Sequence, residues 1–160
     1  MQKEYVQMVE TINKIIIEFN KILDPKFKIP DLDLNKVYDN SCFTCLKNTT
    51  WNDLKFPNSE KKGIYFLVGY DSQNIDKKVM YIGKASFNSK IGRRLYNHLT
   101  NDRNNSQYTM NAKGHIHILD YIFSIDLETT GLESISSSLE EYLILNSKDK
   151  INLLNGIGNN

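Results

Sequence analysis

Residues 79–84 read VMYIGK, and the fold turns on how they are understood. Val79, Met80 and Ile82 suit a buried strand, because β-branched and long apolar side chains fit a packed, pleated surface. Tyr81, Gly83 and Lys84 are not explained by that, and glycine weakens a strand interior unless something approaches its backbone. Sixteen positions before Tyr81 stands Tyr65, in the similar run GIYFLV, residues 63–68. The two runs read as strands over 63–70 and 78–85, joined by a polar connection at 71–77. That makes an antiparallel hairpin with a long loop.

Downstream, Asn88 or Ser89 is placed to cap a helix reaching about Thr100, with Ile91, Leu95 and Leu99 as its buried stripe. A polar loop is expected over 101–114 and a third strand from His115 to Leu127. A further helix opens at Ser136–Ser138 and carries Leu139, Leu143 and Ile144. Upstream, Tyr5, Met8, Ile12, Ile15, Phe19 and Ile22 recur at spacings of three and four, the stripe of an amphipathic helix ending near Asp24-Pro25. This seam is too short for a coiled coil and is expected to pack on the core. Residues 25–60 are rich in Asp, Asn, Pro, Thr and Ser and read as irregular, anchored by Trp51 and Phe56. The expected architecture is α+β. A small antiparallel three-stranded sheet flanked by helices occupies residues 61–160, and residues 1–60 form an N-terminal helical and irregular extension packed on it.

A chain of 160 residues with 40% hydrophobic and 24% charged content is expected to form one globular domain. No apolar run approaches the roughly 18 residues of a membrane span, and no hydrophobic signal segment follows Met1. A cytoplasmic protein is expected. The net charge of +1 hides an asymmetry: residues 61–103 hold 9 Lys and Arg against 3 Asp, hence +6, whereas residues 104–160 hold 3 basic against 7 acidic residues, hence −4. The basic block contains both tyrosine strands. Its positive field suits a polyanion such as nucleic acid, or forms a solvated face. Cys42 and Cys45 make a single C-x-x-C with no second pair and no nearby histidine. They read as two partly buried thiols in a loop rather than a redox pair or half of a zinc site.

On the helix beginning near residue 89, Arg94 and His98 are four apart and share one face. A guanidinium can grip a phosphate through two hydrogen bonds, and an imidazole can take up a proton near neutral pH. Arg93 reads as a surface residue, a phosphate contact at most. Glu140 has two readings: Ser137-x-x-Glu140 fits a capping box, while a carboxylate can also bind a hard cation such as Mg²⁺. Glu141 fits the same cap with Ser138. His115 and His117 lie on one side of a strand, an incomplete metal site that reads as an exposed sheet face.

The order of these features carries more than any one of them. Gly63-Ile64-Tyr65 followed by Tyr81-Ile82-Gly83 resembles the two name-giving halves of the GIY-YIG endonuclease superfamily. Lys84 follows the second half, as is common there. IGRRLYNHL, residues 91–99, resembles the family's catalytic helix and selects Arg94 over Arg93. LEEYLI, residues 139–144, matches the family's L-E-x-x-L-I pattern and selects Glu140 over Glu141. The family's asparagine, twelve residues on, falls at Asn152, with Asn155 as the alternative. The resemblance spans residues 63 to about 158. Two departures stand out: the tyrosine spacing is long, as if 71–77 were inserted, and the proline before the final asparagine is missing.

What the resemblance implies is a Mg²⁺-dependent endonuclease, with Mn²⁺ able to substitute, that cuts double-stranded DNA by in-line attack of water. Tyr65 is the first choice as general base, assisted by Tyr81 and His98. Arg94 stabilises the transition state, Glu140 holds the metal, Lys84 binds phosphate, Gly83 leaves room for a phosphate, and Asn152 fixes the local geometry. A free tyrosine, with a pKa of about 10, is a poor base at neutral pH, so positive charge from Lys84, Arg94 and the metal is expected to help it. The histidine one turn after the arginine and the GIGNN ending resemble the restriction-enzyme branch. With no further DNA-binding module in the chain, that branch implies a compact type II enzyme, a homodimer on a short palindrome, paired with a cognate DNA methyltransferase. Recognition is expected from residues 25–60 or 101–114.

Overall fold

The computed structural model describes residues 2–33, 41–46, 58–102 and 107–156. Helix α1 (Lys3–Asn20) comes first, followed by strand β1 (Ser41–Cys45) and the hairpin of β2 (Gly63–Asp71) and β3 (Asn74–Ala85). Helix α2 (Ile91–His98), strands β4 (Thr100–Asp102), β5 (Gln107–Ala112) and β6 (His115–Asp126), and helix α3 (Ser136–Ser147) complete the order. The class is α+β, with an N-terminal helix on the core. The antiparallel sheet runs β3-β2-β6-β5-β4, with β1 also paired to β6. The sheet is larger than the three strands expected: those three, β3, β2 and β6, form one end of that order, and β5, β4 and β1 extend it.

The strand β2 lies between β3 and β6 and is covered on both faces, which is why IYFLV is apolar throughout instead of alternating. Ile64, Phe66, Val68, Met80 and Ile82 point into a core closed by α1 and α3. Tyr65, Leu67 and Val79 point the other way, into a core with Ile91 and Leu95 of α2 and Tyr108, Met110 and Leu119. Helix α1 buries Tyr5, Met8, Ile12, Ile15 and Phe19 of the expected stripe. Ile22 lies past its end, 71% exposed, because the helix stops at Asn20. Tyr5 Oη donates a 2.8 Å hydrogen bond to the buried Asp120 Oδ2, which ties α1 to β6.

Several expectations are corrected. Residues 71–77 are not a long loop: β2 continues to Asp71, β3 starts at Asn74, and a register shift after Tyr70 takes up the extra residues as a bulge. Within 101–114, β4 ends at Asp102 and β5 spans Gln107–Ala112, so the stretch is not a polar loop throughout. In QYTMNA Tyr108 and Met110 are buried and pack β5 on the sheet, an alternation hidden by the polar residues between them. The cysteines stand on β1, a strand inside the segment read as irregular, with Cys45 exposed. His117 is not on an exposed face but 3% exposed and close to Asp71, while His115 is exposed. Trp51 and Phe56 lie outside the described residues. No helix among the described residues is long and apolar enough to cross a membrane.

Candidate active site

The odd-numbered positions of β2 and β3 share the face that carries α2. Tyr65 pairs across the hairpin with Gly83, and Leu67 with Tyr81, so the two tyrosines stand diagonally on that face. Gly83 does not leave room for a phosphate, as expected, but for Tyr65: a Cβ at Gly83 would overlap the Oη and Cζ atoms of that ring. The ring centroids of Tyr65 and Tyr81 are 6.3 Å apart with planes inclined by 25°.

The helix α2 closes the site from above. Its first N–H groups are not capped by Asn88 or Ser89; Ile91 N–H donates to Lys61 O and Gly92 N–H to Ser59 O. The backbone just before β2 therefore fixes the start of the helix. Ile91 and Leu95 anchor its underside, which turns Arg94 and His98 toward the tyrosines. The His98 ring lies 5.3 Å from that of Tyr81 and 6.1 Å from that of Tyr65, centroid to centroid. Arg93, one position off this face, is exposed.

Glu140 arrives from α3, which packs on the edge strand β3 and on α1. The capping-box reading fails: the residue before the helix is Ile135, no side chain caps it, and Ser136 Oγ donates to Glu133 O. Glu140 instead accepts a 2.8 Å ion pair from Lys84 Nζ on its Oε2, both side chains being largely buried. Glu141 is exposed. Lys84, expected on a phosphate, is thus held by the carboxylate.

Of the two candidate asparagines, Asn152 is exposed and donates only to Lys78 O at 3.2 Å. Asn155 is buried and clasps Ile82 from both sides. Its Oδ1 accepts from Ile82 N–H at 3.1 Å and its Nδ2 donates to Ile82 O at 2.6 Å. Ile82 is the residue between Tyr81 and Gly83, so Asn155 fixes the backbone that presents both.

The electrostatics differ from the expectation for Tyr65. Burial pushes its phenol well above the ordinary range, Tyr81 adds to this, and the nearby Arg94 guanidinium pulls back only in part. Lys84, spent on Glu140, does not contribute. Burial also raises Tyr81, with Glu140 adding and Arg94 opposing. His98 moves the other way: burial first, then the Arg94 charge, hold it below the usual imidazole range, so it is neutral at pH 7. Tyr65 Oη and Arg94 Nε are buried without a hydrogen bond of good geometry, the phenol being in loose reach of both Arg94 and Tyr81.

No family model, curated protein or solved structure matches the chain.

Proposed function

We propose that the chain is a Mg²⁺-dependent endonuclease that hydrolyses phosphodiester bonds of duplex DNA, as the GIY-YIG resemblance implies, and that it is a site-specific type II restriction enzyme. The observation that carries this reading is the cluster itself: Tyr65, Tyr81 and His98 ring to ring, with the Arg94 guanidinium near both phenols and the Glu140 carboxylate close by. A cationic donor and a neutral phenol side by side suit the oxygens of a phosphate.

The residues present also fit the metal. Mg²⁺ keeps most of its waters and asks for one or two carboxylates plus substrate phosphate oxygens. Glu140 is such a carboxylate, and among the described residues no group of three or more His, Cys, Asp and Glu forms an all-protein cage. Glu140 would hold the ion in exchange for Lys84. Bound there, Mg²⁺ supplies polarisation of the phosphate and stabilisation of the leaving 3′ oxygen.

The pKa directions reassign the proton. Tyr65, held as a phenol, is suited to orient the attacking water together with Tyr81. His98, neutral and beside both rings, is suited to accept the water's proton on a ring nitrogen as the new P–O bond forms and the bond to the 3′ oxygen breaks. Arg94 would stabilise the charge gathering on the phosphoryl oxygens, an effect typically worth about 10²–10³ in rate. Lys84, released from Glu140, would take a phosphate oxygen.

The test is agarose-gel cleavage of several unmodified phage DNAs, with and without Mg²⁺, using wild type beside Glu140→Ala. Discrete Mg²⁺-dependent bands absent with the variant are expected. A Mg²⁺-dependent smear would replace site-specific cutting by a low-specificity or structure-directed nuclease. Binding without any cleavage would make the chain a nucleic-acid-binding module.

A further inference from the structure

Among the described residues three non-glycine residues adopt a positive φ: Asn58 at 55°, Phe87 at 54° and Lys113 at 53°. For an L-residue this conformation is unfavourable, least so for asparagine, and a bulky residue there is a genuine outlier. Asn58 is a tolerated type whose Nδ2 donates to Ser124 Oγ, and Lys113 has its Nζ donating to Leu153 O. Phe87 has no such return. Its ring is 84% exposed, the most exposed large hydrophobic side chain among the described residues.

The place of the ring matters as much as its exposure. Ser89 N–H donates to Ser86 O, closing a four-residue turn with Phe87 at its first central position, where a positive φ favours glycine. This turn joins β3, which carries Tyr81 and Lys84, to α2, which carries Arg94 and His98. It lies in the basic stretch 61–103, with the exposed Arg93 six residues on. A scattered surface apolar residue needs no explanation. A strained phenylalanine held out to solvent, between the two elements that build the site, does.

We propose that Phe87 is a wedge that enters the base stack of duplex DNA next to the scissile phosphate. The inference rests on the nuclease reading above. Apolar side chains inserted between base steps unstack them and kink the duplex, and the bend lets more of the backbone meet the protein. A ring on a tight turn beside Lys84 and α2 would hold one base step open while Arg94 grips the adjoining phosphate. Arg93 and Arg94 on the helix that follows draw the polyanion in, and the ring itself favours steps that open readily, pyrimidine–purine steps above all. Phe87 would thereby contribute specificity without a hydrogen bond to any base.

The experiment uses the full chain and a duplex carrying the cut site mapped on phage DNA, with 2-aminopurine walked through it, bound in Ca²⁺ instead of Mg²⁺. Wild type is expected to raise 2-aminopurine fluorescence several-fold at one step beside the cut. Phe87→Gly, which suits the positive φ and so keeps the melting temperature or raises it, should abolish that rise and slow cleavage about tenfold or more. Phe87→Leu, another apolar wedge, should retain much of both. If Phe87→Gly cuts at the wild-type rate with the same fluorescence, the wedge is wrong and the nuclease reading stands. If wild type neither binds nor cuts any DNA, both fall. A change in sedimentation of the glycine variant with unaltered fluorescence would assign the ring to a protein contact and overturn the wedge.

Discussion

At Gly83 one missing carbon decides whether Tyr65 can lie where it does. Alanine there would drive a methyl group into a ring that is itself fully buried and cannot retreat. Gly83→Ala should therefore cost about 1–3 kcal/mol of stability, the usual range for overpacking, and lower cleavage by displacing the phenol. Urea denaturation and a cleavage time course read the two effects. The pH profile of cleavage separates the candidate bases. His98 titrates below its ordinary value of 6.5, so it is already neutral above that pH and protonates only as pH falls further. If His98 accepts the proton, the rate is flat from neutrality upward and drops in acid. If a Tyr65 phenolate were the base, its raised pKa would make the rate climb about tenfold per pH unit well beyond pH 8. His98→Gln should abolish the acid limb together with most of the activity. Tyr65, Tyr81, Arg94, His98 and Glu140 were legible as a group because residue type and spacing along each element survive folding. The reason for Gly83 was not, since its contact is with a residue eighteen positions away that only the hairpin register brings opposite.

The edge of β3 raises the same question at the level of elements. An edge strand presents unpaired N–H and C=O groups, and here residues 152–155 cover them. Met80 N–H donates to Asn152 O, Leu154 N–H to Met80 O, and Asn155 takes both backbone groups of Ile82. The segment after α3 thus behaves as a short parallel strand, with Met80 bridged to Leu153. Removing the Asn155 side chain leaves a buried donor and acceptor unsatisfied, so Asn155→Ala should cost about 1–3 kcal/mol and reduce cleavage as well. Asn152→Ala deletes one exposed bond and should stay within about 0.5 kcal/mol. Chemical denaturation of the two variants decides which asparagine supports the site. Helices α1, α2 and α3 and strands β2, β3 and β6 were readable because each carries an uninterrupted apolar period. β1, β4 and β5 are short and polar on their outer positions, and they are strands because β6 offers an edge to β1 and β5, and β5 in turn to β4; for β1 that partner lies far away in sequence. The helix caps failed for a related reason: carbonyls of residues 59 and 61 do at α2 what Asn88 or Ser89 was expected to do.

Across the whole molecule, four of the nine basic residues of 61–103 are held by carboxylates of the same chain. Glu128 holds Lys62 and Lys90, Asp71 holds Lys77, and Glu140 holds Lys84. The carboxylates come from the acidic C-terminal part of the chain or from the hairpin, so the charge blocks seen along the sequence fold onto one another. Beside the tyrosines, what is left to meet DNA is Arg93, Arg94 and, once Glu140 exchanges it for metal, Lys84; Lys61 and Lys78 carry further charge in the stretch, and Arg103 lies outside the described residues. Such a set fixes the salt dependence of binding. Each phosphate neutralised contributes about −0.9 to the slope of log K against log salt for duplex DNA. One chain contacting through Arg93, Arg94 and Lys84 should give a slope of about −3, and two chains on a palindrome about −5. Titrating a labelled duplex with wild type in Ca²⁺ over a range of KCl, with sedimentation to count chains, measures both. Arg93→Ala should reduce the slope by about one per bound chain and weaken binding evenly across sequences, since a phosphate contact positions the protein without reading bases. A slope far steeper than about −5 would mean that further lysines, Lys61 and Lys78 or those released from carboxylates, join the contact. Neutralising Glu128 with Glu128→Gln frees Lys62 and Lys90 together and should tighten binding at low salt if they lie at the DNA, whereas unchanged affinity would place both away from it.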